Sequence, residues 1–164
     1  MDGTDFRILE PSPFNRVWYS HKFRGPAVKY EVGICIQTGH IVWISGPFPG
    51  SAHDLTIFRS DLKTKLGPGE RVEADNGYSG DAATSAPNDH SDNLDWKRQK
   101  SNVRARHETV NGLFKNWGVL KQIFRHNLNF HSDCFSAIAC VTQLELEFGT
   151  HLKTVDYDVL EDRV

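Results

Sequence analysis

Between Val28 and Ile36 the apolar residues Val28, Tyr30, Val32, Ile34 and Ile36 take every second position, and a turn at Thr38-Gly39 leads into a second apolar run, Ile41 to Ser45. Strict alternation puts all five side chains on one side of an extended strand, and the short turn pairs the two runs as an antiparallel hairpin. Pro47, Pro49 and Gly50 are expected to end the second arm. A sheet with one apolar face has to cover that face with another layer.

The cover is legible further along. Val103, Val110, Leu113, Phe114 and Trp117 share a face at helical spacing and predict a helix over 103–120. Phe135, Ile138, Val141, Leu144 and Phe148 predict another over 132–148, stopped by Gly149. Ser51 followed by Asp54 has the form of a capping box before a helix that runs to Leu66. Two further strands are expected. One spans 2–9, where Phe6 and Ile8 alternate with polar neighbours, and the other spans 71–75, ending at the Asn76-Gly77 turn. The stretch 79–101 is rich in Ser, Asn, Asp, Gly and Ala and reads as a long loop. Strand, hairpin, helix, strand, helix and helix make an α/β chain. At 164 residues it forms one domain, placed at 1–149, with an acidic tail over 150–164.

Charge gives no strong footprint for a nucleic-acid partner, because 19 basic residues face 21 acidic ones for a formal charge of −2. The local distribution is uneven. Lys97, Arg98, Lys100, Arg104 and Arg106 fall in one stretch with no acidic residue among them, which reads as a solvated face or a phosphate-contacting one. Three cysteines without C-x-x-C spacing argue against a disulfide framework and a zinc site, so a reducing compartment is expected. No apolar run approaches the roughly 20 residues that span a bilayer, and a soluble intracellular protein without membrane contact is expected.

Four acids stand where a strand or helix end meets small or turn-forming residues: Asp2, Asp54, Asp75 and Glu108. Each has a plain structural reading. Asp2 could be an exposed terminus, Asp75 a turn former, Asp54 a helix cap, and Glu108 the partner of Arg104 one helical turn away. Together they offer the hard oxygen donors with which Mg²⁺ or Mn²⁺ is held in phosphodiester cleavage. His53 and His107, beside two of these acids, are read as structural, because such ions prefer oxygen. Trp43, Trp96 and Trp117 are read as core or surface anchors.

The words around the acids are D-G-T at Asp2, P-G-S-A-H-D ending at Asp54, D-N-G-Y from Asp75, and R-x-x-x-E-x-x-x-G-x-x-K from Arg104 to Lys115. In this order they resemble the catalytic domain of PIF/Harbinger transposases and harbinger-derived nucleases, from Asp2 to about Phe148. The resemblance implies a ribonuclease H-like mixed sheet flanked by helices, with the first aspartate on the central strand, the second on its neighbour and the glutamate on an adjacent helix. Carried over, the catalytic triad is Asp2, Asp75 and Glu108, with Asp54 a further metal-site carboxylate. Lys97, Arg98, Lys100, Arg104 and Lys115 would then line the DNA path. The implied activity is metal-dependent DNA cleavage with Mg²⁺ or Mn²⁺ in the nucleus or cytoplasm, and the implied partners are DNA and a Myb-like DNA-binding protein. The strand of Asp2 begins directly after Met1, so a first strand truncated at its leading end is expected. The rival expectation is an inactive transposase-derived remnant that binds DNA or protein.

Overall fold

A computed structural model of the chain describes residues 1–86, 94–149, 152, 154 and 155. The alternation over Val28 to Ile34 forms a long strand, β3 (Gly25–Ile34), because it is paired along both edges. On one edge lies β1 (Asp2–Arg7), antiparallel, with Asp2 opposite Val32, Gly3 opposite Glu31 and Asp5 opposite Lys29. On the other lie β2 (Tyr19–Ser20) and β4 (Ile41–Pro49), also antiparallel.

The second hairpin arm runs through both prolines, four residues further than the sequence suggests, because β4 carries a bulge. Lys29 faces Phe48 while Glu31 faces Ser45, so Gly46 and Pro47 have no ladder partners and the missing proline N–H is not needed there. Gly46 has φ 134°, and a Cβ on it would stand 2.8 Å from the Lys29 carbonyl oxygen.

α1 (Asp54–Ser60) follows. Its N-cap is His53, without a side-chain cap bond, and Asp54 is already the first helical residue. The Ser51–Asp54 capping box therefore does not form. The helix also stops short of Leu66, continuing as a 3-10 turn over Leu62–Thr64. The next strand shrinks to β5 (Val72–Glu73), which pairs in parallel with β6 (Thr84–Ser85) in a two-stranded sheet of its own. The Met1 nitrogen ties β5 to the large sheet by donating to the Glu73 carbonyl at 2.6 Å.

α2 (Leu94–Asn116) begins nine residues before the first apolar signal, so part of the expected loop is helix. Residues 87–93 of that loop lie outside the described part. After α3 (Gly118–Lys121), Phe124 forms a parallel bridge to Ile8 on the open edge of β1. α4 (Leu128–Phe148) starts earlier than its apolar period, capped by Asn127, whose side chain accepts from the Asn129 N–H at 3.0 Å. Of the expected tail only Leu152, Thr154 and Val155 are described, and Leu152 packs against the main core.

The core follows from the pleat. Phe6, Val28, Tyr30 and Val32 project from one face of the sheet onto Val110 and Phe114 of α2 and Phe135 and Ile138 of α4. Tyr30 stacks on Phe135 with ring centroids 3.9 Å apart, and the Tyr30 hydroxyl meets His131 Nδ1 at 2.9 Å. Each such side chain contributes roughly 1.5–3 kcal/mol by leaving water. The opposite face carries Gly3, Lys29 and Glu31, and there α1 and the turn after β5 close over a smaller cluster of Met1, Phe58, Ala74 and Tyr78. No helix among the described residues is long and apolar enough to cross a membrane.

Candidate functional site

Asp2, Asp75 and Glu108 come from three separate elements and line one cavity of about 50 Å³. Asp2 opens β1 beside β3. Its Oδ2 accepts from Asn111 Nδ2 of α2 at 2.8 Å, while Asn111 Oδ1 is buried without a partner. Burial raises the Asp2 carboxyl above its ordinary pKa, and the charge of Asp75 raises it further, against the lowering effects of the amino terminus and Lys22. Two carboxylates therefore crowd one another where water is partly excluded, which is an arrangement a cation relieves.

Asp75 stands at the end of β5, where its Oδ1 accepts from the Gly77 N–H at 2.8 Å and starts a 3-10 turn over Asn76–Tyr78. Asp75 therefore both forms the turn and lines the cavity. Glu108 is exposed on α2, and among the described residues no ion pair joins it to Arg104. Steps of three and four residues bring Lys100, Val103, Arg104, His107 and Glu108 onto one face over the cavity. Gly112 is not needed for close approach, since a Cβ there would meet nothing within 4 Å.

His107 lines the cavity and lies against the amino terminus. Its Nε2 lies 2.9 Å from the Met1 nitrogen, and burial, with the amino-terminal charge, lowers its pKa to about 2, so the ring is neutral. His53 is exposed at the α1 N-cap. Trp43 is an anchor whose indole N–H donates to Glu31 Oε2 at 3.0 Å, Trp117 is 41% exposed, and the side chain of Trp96 lies outside the described part.

Asp54 does not line the cavity; its Oδ1 pairs with Lys29 Nζ at 2.8 Å. Among the described residues no three acidic, imidazole or thiol groups stand close enough to form a ligand set without rearrangement.

The basic residues separate by exposure. Lys97, Arg98 and Arg104 are exposed, and Arg104 lines the cavity. Lys100, only 4% exposed, is spent inward on Glu73 Oε2 at 2.8 Å and on the Ser85 carbonyl at 2.7 Å. Arg106 is likewise buried and donates to the Ile36 carbonyl. Lys115 is half-buried, and its pKa is lowered by burial and by Lys22, against the opposing charges of Asp5 and Asp2. Lys22, Lys29 and Glu31 were not singled out by the sequence. Lys29 and Glu31 are the polar alternates of the most regular strand in the chain, and that was the available signal.

A family model described as DDE superfamily endonuclease matches residues 1–143. No curated protein and no solved structure matches the chain.

Proposed function

The chain belongs to the DDE superfamily endonucleases, and from that membership we propose that it cuts DNA phosphodiesters with divalent metal ions held by Asp2, Asp75 and Glu108. The observation that carries this reading is the shared cavity, which gathers one acid from a strand start, one from a strand end and one from a helix face.

The donors that Asp2, Asp75 and Glu108 bring to the cavity are carboxylate oxygens, hard ligands suited to Mg²⁺ or Mn²⁺. Such ions, when bound, activate the attacking water and neutralise the charge that develops on the leaving oxygen. The chain's own residues do the rest. Asn111 fixes the rotamer of Asp2 through its amide, Asp75 is fixed by the Gly77 N–H, and Arg104 and Lys115 meet the phosphates on either side of Glu108. Hydrolysis joins the water oxygen to phosphorus as the P–O3′ bond breaks and a proton passes to the leaving oxygen, giving a 3′-hydroxyl and a 5′-phosphate. The order of the four motif words supports the PIF/Harbinger subtype and a ribonuclease H-like arrangement, with the nucleus as the place of action.

The test is cleavage of supercoiled plasmid with Mg²⁺ or Mn²⁺. Asp75→Asn and Glu108→Gln should each lower the rate at least a hundredfold, with the thermal midpoint without metal unchanged for exposed Glu108→Gln and unchanged or higher for Asp75→Asn, which removes the repulsion between Asp75 and Asp2. Equal cleavage by wild type and both variants would remove the assignment.

A further inference from the structure

The glycines of two of the sequence words share one neighbour, the carboxylate of Asp54. A Cβ on Gly3, beside Asp2, would stand 2.9 Å from Asp54 Oδ1. A Cβ on Gly77, two residues after Asp75, would stand 2.8 Å from Asp54 Oδ2 and 3.0 Å from Asp75 Oδ1. The carboxylate of α1 therefore occupies a slot between the strand that presents Asp2 and the turn that presents Asp75, and both walls are open only because they lack a side chain. The slot has a fixed charge on its third side. Lys29 of β3 donates to Asp54 Oδ1 at 2.8 Å and to the Ala52 carbonyl at 2.8 Å, so one ammonium ties the carboxylate and the chain leading to it to the sheet.

From this geometry we infer that Lys29 is a positioning residue, holding Asp54 as a spacer between Gly3 and Gly77 and so setting the separation of Asp2 and Asp75. The inference rests on reading the cavity as a divalent-metal site. It accounts for three words at once. D-G-T and D-N-G-Y supply the walls of the slot, and the word ending at Asp54 supplies the carboxylate that fills it. Asp54 then acts through its neighbours and does not itself ligate an ion while Lys29 holds it.

The sign of one measurement separates spacer from ligand. As a positioning residue Lys29 is needed for metal binding, and a supporting partner of this kind typically accounts for 10–100-fold in affinity. If Lys29 instead competes with metal for Asp54, its removal must tighten binding. Isothermal titration of the full chain with Mn²⁺ is compared for wild type, Lys29→Met, Lys29→Arg, Gly77→Ala and Asp75→Asn, each checked for folding by circular dichroism.

The expected result is a 10–100-fold weaker Mn²⁺ affinity for Lys29→Met and for Gly77→Ala, with Lys29→Arg close to wild type. In plasmid cleavage Lys29→Met should lower kcat at saturating Mn²⁺ and leave KM for DNA in place. Tighter binding by Lys29→Met would overturn the inference in favour of direct ligation by Asp54. Unchanged binding by Lys29→Met and Gly77→Ala, with loss in Asp75→Asn, would overturn it and leave the metal site standing. Should Lys29→Met not fold, Lys29→Gln, which keeps a donor but not the charge, decides by the same signs: weaker Mn²⁺ binding supports the inference and tighter binding overturns it. A wild-type chain that binds no Mn²⁺ and is indistinguishable from Asp75→Asn would remove the metal reading and this inference with it.

Discussion

Glu31 lies on β3 directly opposite Gly3, with no exposed surface at all, and its pKa is raised by burial from 4.5 to about 7, against the Trp43 N–H, which favours the charged form. It faces the Trp43 indole and Tyr78, with Asp61 and the amino terminus near enough to act on it. A carboxyl whose folded pKa exceeds its unfolded one keeps its proton longer in the folded chain. Between pH 4.5 and about 7 the unfolded chain has therefore lost a proton that the folded chain still holds, and stability falls as pH rises through that window. From pH 5 to pH 8 the loss from this one residue comes to about 2.5 kcal/mol. His131 and His107 run the other way. Burial lowers them to about 4 and about 2, so they stabilise the fold above their unfolded value of 6.5, and that contribution is lost as pH falls.

The total curve mixes these signs, and the comparison of wild type with Glu31→Gln isolates one of them. Glutamine keeps the volume and an acceptor for Trp43 but has no proton to lose. Urea unfolding at pH 5, 6, 7 and 8 should show the stability of wild type relative to Glu31→Gln dropping by about 2.5 kcal/mol across the series at constant m value. A difference that changes by less than about 0.5 kcal/mol, or that grows with pH, would show that Glu31 ionises in the fold near its ordinary value.

Three further substitutions test the geometry. Lys100→Met leaves Glu73 beside an apolar chain and should destabilise the fold by about 3 kcal/mol in urea, with little change in DNA affinity. Arg104→Ala should do the reverse, changing stability by less than about 0.5 kcal/mol and lowering the salt slope of DNA binding by about 1. Equal effects of the two on fluorescence-anisotropy binding curves would contradict the inward placement of Lys100. Gly46→Ala, at φ 134° and against the Lys29 carbonyl, should cost about 2 kcal/mol or more by thermal unfolding, and a neutral result would mean that the β4 bulge can slip.

The large sheet and its cover were legible because they depend on periodicity, which a sequence carries directly. Val28, Tyr30 and Val32 pack where their spacing put them, and Phe114 and Phe135 meet over Phe6. But Trp117, Val141, Leu144 and Phe148 of the two expected helix faces are exposed, because α4 turns His131, Ala139, Thr142 and Leu146 inward with Phe135 and Ile138. What misled was local punctuation. Pro47 reads as a strand end, yet the bulge gives it a position without a ladder partner. The Ser51 and Asp54 pair reads as a capping box, yet the helix starts three residues after Ser51, and Asp54 turns to Lys29 from across the sheet. The first half of α2 was missed because it has little apolar rhythm, with Lys97 and Arg98 exposed and Lys100 anchored by charge. Contacts with partners distant in sequence leave no mark on periodicity, and Lys29 and Glu31 became visible only through them.

The same distinction bears on the chain's charge. A net charge of −2 argues against a nucleic-acid partner only if charges are spread evenly. Here the acids of the cavity are grouped, and along the α2 face Arg104 precedes Glu108 by four residues while Lys115 follows it by seven. At 1.5 Å per residue these are axial offsets of roughly 6 and 10 Å. A phosphodiester strand drawn to the carboxylates would meet a cation on each side of Glu108, and the repulsion it feels from Asp2 and Asp75 is the repulsion that a divalent ion removes. Divalent metal and DNA should then bind with positive coupling: Mn²⁺ should raise DNA affinity in wild type and lose that effect in Asp75→Asn. DNA affinity that is indifferent to Mn²⁺ in wild type would mean that the strand does not approach the chain at these carboxylates.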